Sequence, residues 1–301
     1  MANLLHIPAV RERLRRARPV YNVLFRRKKN YDRLPSPKDY LQEMKGRGVF
    51  LLCFGRSGST VFADYLASHP SILTFGEILG EDSYYSYFQW LSRHYLWFWP
   101  LRPTMMAREF YRFCAHLVRK HPERRCLFDI KIESLHLIEG NWRLPGPDFA
   151  FLHNLRATNT PVILLTRKDL IARYISGQVA ERRGSYHSYQ TSTIKPAPFK
   201  VDLETIQAQV TQINATYTYI RRFFADHPCF VELAYEDLFT SDGTSFARDL
   251  GTRMAALLKV PNQFDHSPKL KKISSTKGYY DMLLNYTEVE TYRNEILGQK
   301  P

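Results

Sequence analysis

At 301 residues and 44% hydrophobic side chains the chain has ample apolar material for a packed core, which excludes a disordered protein and leaves one large domain or two small ones. Lys and Arg total 43 against 29 acidic residues, and the net charge of +14 favours anionic partners: nucleotides, acidic glycans, nucleic acid or anionic lipid. Cys53, Cys114, Cys126 and Cys229 form neither a C-x-x-C pair nor a ligand-like spacing with histidine, which argues against structural zinc and for reduced thiols in a cytoplasmic setting.

Residues 1–47 form a basic arm carrying Arg11, Arg13, Arg15, Arg16, Arg18, Arg26, Arg27, Lys28 and Lys29, with no apolar segment long enough for a signal peptide or a membrane anchor. Two readings stand: peripheral docking on an anionic inner membrane face or glycolipid, and a solvated helix ahead of the first strand.

The segment Leu51-Leu52-Cys53-Phe54-Gly55-Arg56-Ser57-Gly58-Ser59-Thr60 reads as strand, loop and helix. The apolar residues from Val49 suit a strand buried on both faces, and Val61 to Ala67 suit a helix packed back on it. Gly55 and Gly58 allow a tight turn whose N–H groups converge before the helix N-terminus, a place for an anion. The hydroxyls of Ser57, Ser59 and Thr60 add donors, and Arg56 adds a fixed positive charge. The helix should end near Ser68-His69-Pro70, with Ser71 to Phe75 extended, so that Glu77 emerges close to the loop.

An aromatic, helical insert follows at about 82–122, dense in Tyr84, Tyr85, Tyr87, Phe88, Trp90, Tyr95, Trp97, Phe98 and Trp99. It reads as a sugar-stacking wall, an interfacial foot on a bilayer, or a buried helical pair. Cys126 to Lys131 reads as the next strand. Ligands of open parallel sheets gather beyond the carboxyl ends of the strands, which makes Lys131 a candidate for contacting a transferred group.

Pro161 to Thr166 is a buried strand followed at once by Arg167-Lys168-Asp169 and by a helix bearing Tyr174, Ile175 and Ser176. Arg167 in the turn can bend back towards Ser176, and together they could clamp a second phosphate. Residues 181–202 lack apolar periodicity and read as a lid loop, within which His187 is a candidate base. Ile206, Val210, Ile213, Tyr217, Ile220 and Phe224 form a helical stripe suited to packing on a sheet. Cys229 to Tyr235 is a further strand. Strands alternate with helices throughout, predicting a single α/β domain over 48–301 with a central parallel sheet flanked by helices.

These pieces resemble the sulfotransferases that use 3'-phosphoadenosine-5'-phosphosulfate (PAPS), particularly bacterial carbohydrate enzymes of the nodulation-factor and trehalose kind, over most of residues 48–290. Gly55-Arg56-Ser57-Gly58-Ser59-Thr60 looks like that family's 5'-phosphosulfate loop. Arg167-Lys168-Asp169 through Ser176 looks like its 3'-phosphate motif, with Arg167 or Lys168 as the cation. Tyr235-Glu236-Asp237-Leu238 resembles a strand-end segment near the adenine, and Lys277-Gly278 resembles a closing loop, with Thr276 where an arginine would stand. The resemblance implies metal-independent transfer to a hydroxyl of a carbohydrate or glycolipid, with Glu77 as general base and Arg56 and Lys131 stabilising charge. It implies no nucleic-acid partner, and leaves monomer and homodimer open.

Two other protein classes share parts of this pattern. A P-loop kinase or NTPase would need a lysine where Ser59 stands, and no Walker-B acid follows a strand. A basic nucleic-acid-binding protein fits the charge and the aromatics, but no recognised motif accompanies them.

Overall fold

The structure, a computed structural model, describes residues 35–80, 85–94, 103–139, 145–146, 149–184, 197–267 and 282–298. The arm up to residue 34, residues 185–196 of the expected lid with His187, residues 95–102 of the aromatic insert and the expected closing loop with Lys277 lie outside the described residues.

Five strands build one all-parallel sheet: β1 (Gly48–Cys53), β2 (Ile72–Glu77), β3 (Arg125–Lys131), β4 (Val162–Thr166) and β5 (Phe230–Ala234), in the order β2-β3-β1-β4-β5. Every residue of β1 is buried. It is hydrogen-bonded to β3 and β4, and helices cover both of its faces, so an uninterrupted apolar run is the pattern it needs. Val49, Leu51 and Cys53 face one way, against Phe62, Tyr65 and Leu66 of α2 (Ser59–Ala67) and Leu250 and Met254 of a late helix, α9 (Arg248–Leu258). Phe50 and Leu52 face the other, against helices α1 (Pro37–Glu43), α4 (Pro103–Lys120), α6 (Ala150–Ala157), α7 (Leu170–Arg183) and α8 (Leu203–Phe223). A period of two splits one strand between two cores.

From β1 the chain runs out to the β2 edge through α2, whereas from β3 it crosses back past β1 to β4 and β5. Connections that leave neighbouring strands for opposite faces open a crevice at the carboxyl end of β1. The turn holding Gly55 to Gly58 lies there.

Three boundaries differ from those read in the sequence. Residues 37–44 pack with the sheet: α1 buries Tyr40 and Leu41, and Met44 after it, in the same core as Phe50, where the basic charge of the arm gives those three side chains no signal in the sequence. Helix α7 continues to Arg183 and stops at Gly184 in the left-handed region, so the predicted lid loses its first residues to the helix. Ser59 and Thr60 belong to the first turn of α2 rather than to the loop. In the described part of the aromatic insert, α3 (Tyr87–His94) turns Tyr87 and Leu91 into the core against Phe110 and Phe113 of α4.

Candidate active site

Two residues of the β1–α2 loop adopt the left-handed conformation, Arg56 at φ +64° and Gly58 at φ +84°. Gly58 is required twice over. Its φ strains any L side chain, and a Cβ there would stand 2.1 Å from Cδ2 of Tyr235. Gly58→Ala should therefore destabilise the fold by on the order of 2–4 kcal/mol, and adding Tyr235→Ala should restore part of that by removing the clash while leaving the φ strain. Thermal melts of the single and double variants check this; equal melting points would show that the ring is not packed on Gly58. Helix α2 has no side-chain cap from Gly58 and no acidic residue in its first turn, an arrangement whose leading amides and dipole favour negative charge.

Beneath the loop lies a buried charge cluster. Lys131 Nζ, at the end of β3, donates to Ser59 Oγ at 2.7 Å and to Asp129 Oδ1 and Oδ2 at 2.9 and 2.8 Å, and lies 2.9 Å from Glu77 Oε1. Asp129 and Lys131, two apart on a strand, share a face. Glu77 reaches them through a bulge. Thr74 pairs with Leu127 but Glu77 with Asp129, the extra residue being absorbed at Gly76, whose φ is +68°. That shift turns the Glu77 side chain to the Asp129 face instead of the opposite one. Burial pulls the Lys131 ammonium's pKa down, but the charges around it, Asp129 foremost, outweigh burial and raise it. Burial also pushes the adjoining Cys53 thiol well up, so it stays protonated and unreactive.

A second group of cations closes over the loop. Arg56 donates from Nε and Nη2 to the buried Ser176 Oγ at 3.2 and 3.1 Å. Arg167 donates from Nη1 to the Arg56 carbonyl at 2.9 Å and stacks on the Tyr235 ring at 5.4 Å. Lys168 turns away and pairs with the exposed Asp237 at 2.5 Å, so Arg167 is the cation of that turn which meets the loop. Asp169 fixes the start of α7 by accepting from the Ala172 N–H at 2.8 Å and from Arg293 of α10 (Tyr286–Gly298) at 2.8 Å.

The fold thus gathers Gly55 to Thr60, Glu77, Lys131, Arg167, Ser176 and Tyr235 around the end of β1. The pairing expected between Arg167 and Ser176 is rearranged: Ser176 bonds Arg56, and Arg167 holds the loop's backbone. Lys277 and His187 lie outside the described residues.

Four site residues escaped the sequence reading. Asp129 was legible from its i, i+2 spacing with Lys131. Tyr217, a member of the apolar stripe on α8, brings its hydroxyl to 3.5 Å from Ser57 Oγ, and burial pushes its pKa up to about 12. Glu133, in the 3₁₀ turn Ile132–Ser134 after β3, accepts from the Gly55 N–H at 2.7 Å. Arg173, in the first turn of α7, lies 3.9 Å from the same carboxylate oxygen. Among the described residues no group of His, Cys, Asp and Glu is arranged to hold a metal ion, and no helix is long and apolar enough to cross a membrane.

No protein-family profile and no curated protein matches the chain. Among solved structures, one titled "Sulfotransferase Domain from the Curacin Biosynthetic Pathway" is similar over 71% of this chain and 75% of that one, with 14% identity and a TM-score of 0.38.

Proposed function

We propose that the chain transfers a sulfuryl group from PAPS to a hydroxyl of a carbohydrate or glycolipid acceptor, without a metal. The observation that carries this reading is the convergence of Arg56, Arg167 and Arg173 with the Gly55 amide on one loop at the sheet's switch point, beside the Glu77–Lys131 pair. The cradle fits a phosphosulfate: it has amide donors at a helix start and three guanidiniums, and Gly58 leaves no side chain in the way. Such a donor, when bound, supplies a sulfuryl group whose bond to the 5'-phosphate breaks as a bond from sulfur to the acceptor oxygen forms.

The residues divide the work. Arg56 and the loop amides offset charge on the equatorial oxygens and on the departing phosphate. Lys131 brings a positive charge to Ser59 from β3, where a Walker loop would carry its lysine within the helix. Glu77 takes the proton of the acceptor hydroxyl, its side chain being partly open to solvent at the strand end. Arg167, stacked on Tyr235, stands at the side where a 3'-phosphate and adenine would lie.

The test is ligand-dependent stability. Adenosine 3',5'-bisphosphate at one hundred times its Kd should add about 2.7 kcal/mol to unfolding, with ATP, GTP and oligonucleotides adding much less. Stabilisation by ATP alone would replace this reading by a kinase or NTPase. Steeply salt-dependent binding of DNA or RNA without any response to the bisphosphate would replace it by nucleic-acid binding.

A further inference from the structure

The Glu133 carboxylate lies at the place an anionic ligand would take. Its Oε1 accepts from the Gly55 N–H at 2.7 Å while standing 3.9 Å from Arg173 Nη2. One negatively charged oxygen therefore accepts from a loop amide and lies in ion-pair range of a guanidinium, the two kinds of partner that oxyanion recognition uses. Arg173 is fixed behind it, its side chain 12% exposed, its guanidinium over the Phe54 ring at 5.4 Å and its buried Nε without a hydrogen-bond partner among the described residues. A buried guanidinium with unspent donor capacity gains from a second anionic oxygen. Glu133 is built differently. Its side chain is 43% exposed and sits on a short 3₁₀ turn, so it can swing into solvent without unpacking a core.

From this juxtaposition we infer that the Gly55 amide and Arg173 form the seat for the phosphosulfate end of the donor, and that Glu133 keeps that seat in the ligand-free chain until the donor displaces it; this rests on the sulfuryl-transfer reading above. An oxyanion and the carboxylate cannot share the seat, since two like charges at contact repel. Glu133 spares Arg173 the cost of standing as an uncompensated buried charge, and in return weakens donor binding. Arg173 is then a binding residue that lies within the Arg167–Ser176 segment but is none of the positions by which that motif was recognised.

Calorimetric titration of the full chain with adenosine 3',5'-bisphosphate and, separately, with inorganic pyrophosphate tests this, alongside NMR of protein carrying ¹⁵N-glycine. Glu133→Gln keeps the side chain's shape and removes its charge, and should bind the bisphosphate about tenfold more tightly than wild type, the scale of one charge-assisted hydrogen bond. Arg173→Gln should bind it about tenfold more weakly. In the ligand-free protein the Gly55 amide proton should move upfield in Glu133→Gln, a change that altered stability alone would not produce. Equal affinities of wild type and Glu133→Gln, with the Gly55 resonance unmoved, would overturn the inference. If nothing binds the bisphosphate yet pyrophosphate still prefers Glu133→Gln, the seat stands and the identity of the donor falls instead.

Discussion

Replacing Lys131 with methionine should cost about 3–5 kcal/mol of folding stability, a fall in Tm on the order of 10 °C. The ammonium is the shared partner of the buried Asp129 and of Glu77, at 2.8 and 2.9 Å, and of Ser59 at 2.7 Å. Methionine fills similar space but leaves two carboxylates facing each other, one of them 3% exposed near the carboxyl end of β3. The sign of the pH dependence follows from the raised lysine pKa. Its contribution is fully present below the unfolded lysine value of about 10.4 and fades only as pH climbs above that, so the deficit should be flat across neutral pH. Adding Asp129→Leu, which removes the stranded charge, should recover part of the loss in urea unfolding. A Lys131→Met protein that melts with the wild type would show that this cluster does not hold β2, β3 and α2 together.

Glu77→Gln should leave affinity for adenosine 3',5'-bisphosphate as in the wild type while lowering kcat by about 10²- to 10⁴-fold. Glutamine can still accept from Lys131 through its carbonyl oxygen, so the charge cluster stays hydrogen-bonded, but it cannot take a proton. The bulge at Gly76 makes the experiment specific, because it alone turns this side chain to the Lys131 face. Turnover and bisphosphate binding measured side by side separate chemistry from binding. If Glu77→Gln turned over sugar or glycolipid acceptors at the wild-type rate, Glu77 would be a counter-ion of Lys131 and nothing more.

The loop at the end of β1 was legible because its signal is local. An uninterrupted apolar run breaking into Gly-Arg-Ser-Gly-Ser-Thr dictates a buried strand, a left-handed turn and a helix start within thirteen residues, Gly48 to Thr60, and each step rests on neighbours along the chain. The parallel sheet was legible for the same reason, strands and helices alternating with little between them. Boundaries set by remote packing were not: Tyr40, Leu41 and Met44 find their partners only across the core, so charge assigned them to the arm.

By itself, then, the sequence determined an α/β chain with an anion cradle at the end of its first strand, along with the residue types that surround it. The tertiary structure alone decided which charges meet there. Glu133 and Gly55 are 78 residues apart and Arg56 and Ser176 are 120 apart, and no periodicity reports pairings at those separations. The order β2-β3-β1-β4-β5 brings them together by laying the carboxyl ends of β3 and β4 on either side of β1. A one-residue bulge then aims Glu77 at the same cluster. Strand order and register are set by the burial of whole faces, and the contacts that matter at this site are consequences of that burial.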